Sequence, residues 1–185
     1  MDLQQTAAAA AERMRGYRSD ETGWMVCKKS NLVVVSWRPS SEFPGKVYKG
    51  EGLINASPDK VWECLKPEPD GFRVKWDANV KKFQLLEEIS QDRHLSRLSA
   101  AMGIIAPRDF VDVIVVRHYE DGTFSSNATN VVHPSCPPQP GKPRPLTSPR
   151  RHGLGGLLPR SVVDSFFPSS MMDFYSNLTK AALSL

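Results

Sequence analysis

The sequence predicts an α+β domain in which a curved antiparallel sheet bends around a C-terminal helix. Short runs rich in β-branched and aromatic residues recur between turn signals from Trp24 to His133. The connections between them are mostly too short for the crossovers that parallel strands need. The last segment repeats Val163, Phe167, Met171, Phe174, Leu178 and Ala182 at helical spacing, a stripe too apolar to stand uncovered.

The elements follow in order. Residues 3–18 are rich in Ala, Glu, Arg and Met and predict a helix, with Gly16 as its stop. Strands are expected at Trp24–Cys27, at Leu32–Trp37 and at Val47–Leu53, where Gly50 and Gly52 predict a bend or bulge. Ser57-Pro58 opens a helix as N-cap and first helical residue, and Pro67 and Pro69 end it. Strands follow at Val80–Ile89 and His94–Ser99. Ala100–Pro107 reads as an irregular apolar loop. Phe110–Tyr119 is the clearest strand, Glu120-Asp121-Gly122-Thr123 is a hairpin turn, and Phe124–His133 returns antiparallel. Residues 134–156 hold seven prolines and few large apolar groups, so they read as an irregular Pro/Arg-rich linker. The final helix starts at Pro159, and Pro168 should kink it.

With 185 residues the chain is the size of one domain and can bury about 70% of its unfolded surface. An apolar share of 40% and a charged share of 24% exclude collagen, coiled coil and wholesale disorder. No apolar run is long enough to span a bilayer as a helix. The N-terminus lacks the apolar core of a secretory signal, and Asp2 and Glu12 argue against a transit peptide, so the cytosol is the expected location. Cys27, Cys64 and Cys136 are odd in number and widely spaced, which predicts three reduced thiols and no metal site. The net charge of +4 is concentrated: Lys142–Arg160 carries five basic residues and no acidic one. That segment reads as a solvated spacer rather than as the basic face of a nucleic-acid binder. The alternative is contact with anionic lipid headgroups, about 1 kcal/mol per cation.

No enzyme motif is present: there is no GxSxG, HExxH, P-loop or GxGxxG, and His94, His118, His133 and His152 are scattered. The chain is therefore expected to be non-enzymatic and to need no cofactor. The strand after Asp109 offers two apolar faces, one with Phe110, Asp112, Ile114 and Val116, the other with Val111, Val113, Val115 and Arg117. A sheet bent around a helix leaves room for a lipophilic ligand.

Six blocks carry a resemblance: VSWRPSSEFPGKVYKGEG (35–52), RVKWDANV (73–80), APRDFVDV (106–113), DGTFSSNAT (121–129), HPSCPPQPG (133–141) and LPRSVVDSFFPSSMMDFYSNL (158–178). In this order they resemble the START family of steroidogenic-acute-regulatory-related lipid-transfer domains, in particular its small START-only branch that binds sterols and bile acids. The resemblance implies a helix-grip fold with a ligand tunnel under the last helix, a single lipid-binding domain over 1–185, and a monomer that meets membranes transiently. It implies that Phe110, Asp112, Ile114 and Val116 line the tunnel. It makes Met102, Ile104 and Ile105 part of an omega loop at its entrance, and gives part of the face of Phe167, Met171, Phe174, Tyr175 and Leu178 to the ligand. Read without the family, those helix residues are core and that loop is simple packing. Cholesterol-carrying relatives place an arginine at the Ile114 position, so here Asp112 is left to meet the polar end of a ligand. Two departures stand out. Leu95–Met102 is shorter than the family pattern, and the stretch after Gly141 is shorter by roughly 20 residues, enough for two strands of typical length. The expected function is binding and intracellular transfer of a sterol or bile acid. The alternatives are a shortened product with impaired binding and an enzyme that uses the same grip fold.

Overall fold

The computed structural model of the chain describes residues 2–102, 105–137 and 160–185. Those residues fall into two compact units, taken here in turn.

The first unit pairs helix α1 (Leu3–Ser19) with the antiparallel strands β4 (Val80–Ser90), β5 (Arg93–Met102), β6 (Ile105–His118) and β7 (Phe124–Asn130), which lie side by side in chain order. Asp2 caps α1 by accepting from the backbone N–H groups of Gln4 at 2.9 Å and Gln5 at 3.1 Å. The helix runs past Gly16, whose carbonyl accepts the Asp20 N–H that closes the last turn. Its buried side chains are Ala7, Ala10 and Ala11, small enough to bring the helix backbone close to the sheet. Ala7 and Ala11 pack with Leu95, Val111, Val113, Val115, Val131 and Cys136. One face of β6 is thus the wall of this core. Cys136 shows that the start of the Pro-rich segment is held in it, while the rest of the expected linker, from residue 138 on, lies outside the described residues.

On the same face Arg97 meets Asp109 through two bonds of 2.9 Å, Nε to Oδ1 and Nη2 to Oδ2. Asp109 is fully buried and Arg97 nearly so. The fork geometry satisfies both carboxylate oxygens, the condition under which a buried pair is tolerated. At the β6–β7 hairpin Gly122 takes a positive φ of 78°, and Asp121 Oδ1 accepts from the Thr123 N–H at 2.9 Å, as the turn chemistry of the sequence predicts.

The second unit holds strands β1 (Met25–Lys29), β2 (Val33–Pro39) and β3 (Lys46–Gly52) with helices α2 (Pro58–Leu65), α3 (Phe72–Trp76) and α4 (Arg160–Leu183). Ser57 caps α2 and Pro58 opens it. Cys64, Leu178, Ala181 and Ala182 form the buried centre, with Val61, Leu65, Phe72, Trp76 and Phe174 packed around them. The Trp76 indole N–H finds the Cys64 carbonyl at 2.9 Å. Helix α4 is unbroken across Pro168.

Three expectations change. The strands divide between two sheets, and among the described residues β1, β3, β4 and β7 are edges. Ala100–Pro107 is not a loop: Met102 pairs with Ile105, and only two residues separate β5 from β6. The register of β6 with β7 starts at Asp112, so the first half of β6 has a side without a strand partner among the described residues, where Pro107 with no N–H is tolerated. Helix α3 has no cap or apolar periodicity to announce it, but it is the second of the two helices that the family resemblance implies after the third strand. Finally, Gly50 and Gly52 make no bulge, because β2 and β3 keep register throughout. They are glycine because α4 presses on them. A Cβ at Gly52 would lie 2.9 Å from the Tyr175 ring and 3.1 Å from the Leu32 carbonyl, and one at Gly50 would lie 2.8 Å from the Met171 terminal methyl.

Gly52→Ala is expected to lower stability by about 1–3 kcal/mol, as overpacking against ring and backbone does. Gly50→Ala should cost less, since the end of a methionine side chain moves easily. Urea unfolding of both variants checks the order.

Candidate functional site

The predicted site residues fall into two groups. Phe167, Met171, Phe174, Tyr175 and Leu178 lie on α4 in the second unit. Phe167 stacks on Tyr48 at 5.6 Å and 11°, and Phe174 tilts against Trp76 at 5.7 Å. Leu178 is buried among α2 and α4. The Tyr175 hydroxyl donates to the Gly50 carbonyl at 2.8 Å, and burial raises its pKa. The Tyr48 hydroxyl donates to Asp164 Oδ1 at 3.0 Å while Lys46 Nζ donates to Oδ2 at 2.7 Å. Burial, followed by the Asp164 carboxylate, raises the Tyr48 pKa well above its ordinary value. These contacts are those of a packed helix.

The other group sits on β6. Phe110, Asp112, Ile114 and Val116 share the face of the sheet opposite α1. Ile114 and Val116 are buried, and Phe110 and Asp112 are partly so. Met102 and Ile105 are backbone partners in the β5–β6 pairing, and Ile104 lies outside the described residues. Asp112 is the one ionisable side chain among the four. Burial pushes its carboxyl up to about 6, against the opposing pull of the Asn130 amide that donates to Oδ1 at 3.2 Å.

Register sets what surrounds Asp112. Ser96 of β5 and Asn130 of β7 flank it, and one row along His94 and Ala128 flank Ile114. Ser96, Asn130 and His94 were absent from the sequence-based set. For Asn130 the signal was available: counting outward from the turn around Gly122 pairs Asp112 with Asn130. The residue opposite Ile114 on the preceding strand is His94. Among the described residues no cluster of three or more His, Cys, Asp or Glu could hold a metal, and no helix is long and apolar enough to cross a membrane. Cys27, Cys64 and Cys136 are free thiols.

The START domain family matches residues 4–151. The chain belongs to the START family. It is 48% identical to StAR-related lipid transfer protein 5 of Bos taurus over 200 aligned positions, covering 96% of this chain and 94% of that protein. Its identity to the Homo sapiens protein of the same name is also 48%, and to StAR-related lipid transfer protein 6 of Homo sapiens 29% with 96% and 90% covered. The solved structure of human StAR-related lipid transfer protein 5 superposes with a TM-score of 0.88 at 47% identity, covering 98% of this chain and 97% of that one. The STAR-related lipid transfer protein of Xanthomonas axonopodis, at 19% identity and a TM-score of 0.69, shares the fold. The START relatives are lipid-transfer proteins, a class of binding and transport rather than catalysis. The aligned positions outnumber the 185 residues of this START chain, so the alignment carries gaps on its side.

The raised Asp112 pKa sets a pH dependence. Between about pH 4 and pH 6 the unfolded chain has released this proton and the folded chain still holds it. Folding then takes up a proton, so stability falls as pH rises through that window and stays lower above it, by about 3 kcal/mol at one pKa unit per 1.36 kcal/mol. Asp112→Asn keeps an acceptor for Asn130 and removes the charge. It is expected to flatten this slope and to be the more stable protein at pH 7.5, measured by urea unfolding at pH 4.5, 6 and 7.5.

Proposed function

We propose that this chain binds a sterol or bile acid in an apolar tunnel and carries it between membranes as a monomer in the cytosol, without catalysis. The observation that carries the reading is the face of β6: Phe110, Ile114 and Val116 around a single carboxyl, Asp112. An apolar surface with one polar group suits a rigid hydrocarbon body with one polar end. The likeness to StAR-related lipid transfer protein 5 over nearly the whole chain supports it. A sterol burying roughly 400 Å² gains about 10 kcal/mol gross at 25 cal/mol/Å². Association costs remove several of these, leaving micromolar affinity. Titration with a fluorescent sterol, and with a bile acid beside it, should saturate in that range; no saturable signal with either would refute the reading. Chemical change of the bound sterol would instead favour a grip-fold enzyme.

In the same reading the β5–β6 hairpin meets the acyl boundary during transfer through Met102, Ile104 and Ile105, which the family resemblance makes the entrance loop. Ile104→Asp combined with Ile105→Asp should slow sterol exchange between vesicles, because charge is costly there. Unchanged rates in a folded variant would remove the hairpin from the mechanism.

A second reading concerns the segment 134–156, which we take to stand in place of two strands of a single domain over 1–185. The gaps in the alignment and the four strand edges among the described residues favour it. An incomplete sheet leaves part of the ligand wet. Losing a third of the burial estimated above costs roughly 3 kcal/mol. A version with two strands inserted after Gly141 should therefore bind sterol over a hundredfold more tightly, at about 1.4 kcal/mol per tenfold. Equal dissociation constants would show that those strands do not contribute to binding.

A further inference from the structure

The hydrogen bonds of the Ser96–Asp112–Asn130 row leave acceptors over. Asn130 Nδ2 donates to the Val111 carbonyl oxygen at 3.0 Å and to Asp112 Oδ1 at 3.2 Å. Both partners are acceptors, so the nitrogen of the amide is bound to face them and both of its N–H groups are used. Asn130 Oδ1 is thereby turned the other way, and it is buried without a partner. The Ser96 hydroxyl points at the Asp112 carbonyl oxygen, 3.5 Å away. One row along the same face, His94 Nδ1 is buried and unpartnered as well. Folded proteins leave few buried polar atoms unpaired, and each one asks for an explanation. Here two fall on one sheet face, on either side of β6 and beside a carboxyl.

We infer that this row is an acceptor site that selects its ligand by a hydroxyl donor: Asn130 Oδ1 and the Asp112 carboxylate take up the hydroxyl hydrogens of a lipid alcohol and disfavour the ketone or carboxylate of the same skeleton. The inference rests on the lipid-carrying reading above and adds to it the ligand class and the residue that sets it. A hydroxyl brings the hydrogen the row lacks. A ketone brings only a further acceptor and leaves Asn130 Oδ1 as it is. A carboxylate adds an anion beside Asp112. His94 extends the row, because an imidazole protonated on Nε2 presents Nδ1 as one more acceptor. A ligand with two or more hydroxyls can therefore satisfy more of the face than a ligand with one.

The test is a paired titration of the full chain with cholestanol and cholestanone, which differ only in that one carbon bears a hydroxyl able to donate or a carbonyl that only accepts, each by displacement of a fluorescent sterol. The expected dissociation constants differ by about tenfold or more in favour of the alcohol, the scale of a hydrogen bond to a buried acceptor or charge. Asn130→Leu should shrink that ratio severalfold, chiefly by improving the ketone, with circular dichroism confirming the fold. If Asn130→Leu does not fold, Asn130→Ser and the wild-type ratio carry the test. Equal affinity of the wild type for alcohol and ketone overturns the inference and leaves the lipid-carrying reading standing. A large ratio that Asn130→Leu and Asn130→Ser leave unchanged removes Asn130 as its source and also overturns it. Binding of neither steroid, with no displacement by bile acids, overturns both.

Discussion

Strand β6 has apolar side chains on both faces, and the first unit is organised by what each face meets. Val111, Val113 and Val115 are fully buried against the alanines of α1. Three buried valines contribute about 1.5–3 kcal/mol each, so the fold of this unit rests on that face. The Arg97–Asp109 fork lies on it too and fixes β5 against β6 with directional bonds. The opposite face is relieved of that task and can hold a carboxyl whose charge is disfavoured by burial. A group that weakens the folded state at neutral pH is tolerated where the rest of the strand over-determines the fold.

In the second unit the corresponding constraint is the approach of α4 to β3. The Tyr175 ring lies over Gly50 and Gly52, and its hydroxyl closes on the Gly50 carbonyl. Near the start of the helix Asp164 takes bonds from Lys46 and Tyr48, and Phe167 stacks on the Tyr48 ring. Apolar packing and polar bonds therefore alternate along the helix. Packing alone would let an apolar helix slide along an apolar sheet; the bonds at Asp164 and Tyr175 set its register.

Local chemistry was legible in the sequence. Ser57-Pro58 and Gly122 announced a cap and a hairpin because the residue itself makes the bond or adopts the angle. The β-branched run of β6 announced its strand and its two faces. What was not legible depended on partners far along the chain. Ala100–Pro107 is small, apolar and contains a proline, so its own propensity argues for a loop; pairing across β5 and β6 overrides that. Gly50 and Gly52 look like a bend until the ring of Tyr175 is seen above them. Of the site, Asp112 could be singled out as a carboxyl in an apolar strand. Asn130 could be paired with it by counting from the Gly122 turn, but the unpartnered Asn130 Oδ1 and His94 Nδ1 could not be foreseen, because an orphaned atom is a property of the whole hydrogen-bond inventory and not of a residue type.

The contact between Gly52 and Tyr175 also bears on how this sequence can change by descent. Enlarging residue 52 while the tyrosine is present forces atoms to within 2.9 Å. Shrinking residue 175 first forfeits the bond to the Gly50 carbonyl and leaves a void over two side-chainless positions, which is costly as well. Each single step leads downhill, and only the pair can be neutral. The two positions, 123 residues apart in the chain, are thereby bound to a shared history: lineages should keep both or exchange both, and a chimera that takes residue 52 from one kind of lineage and α4 from the other should show either the clash or the void.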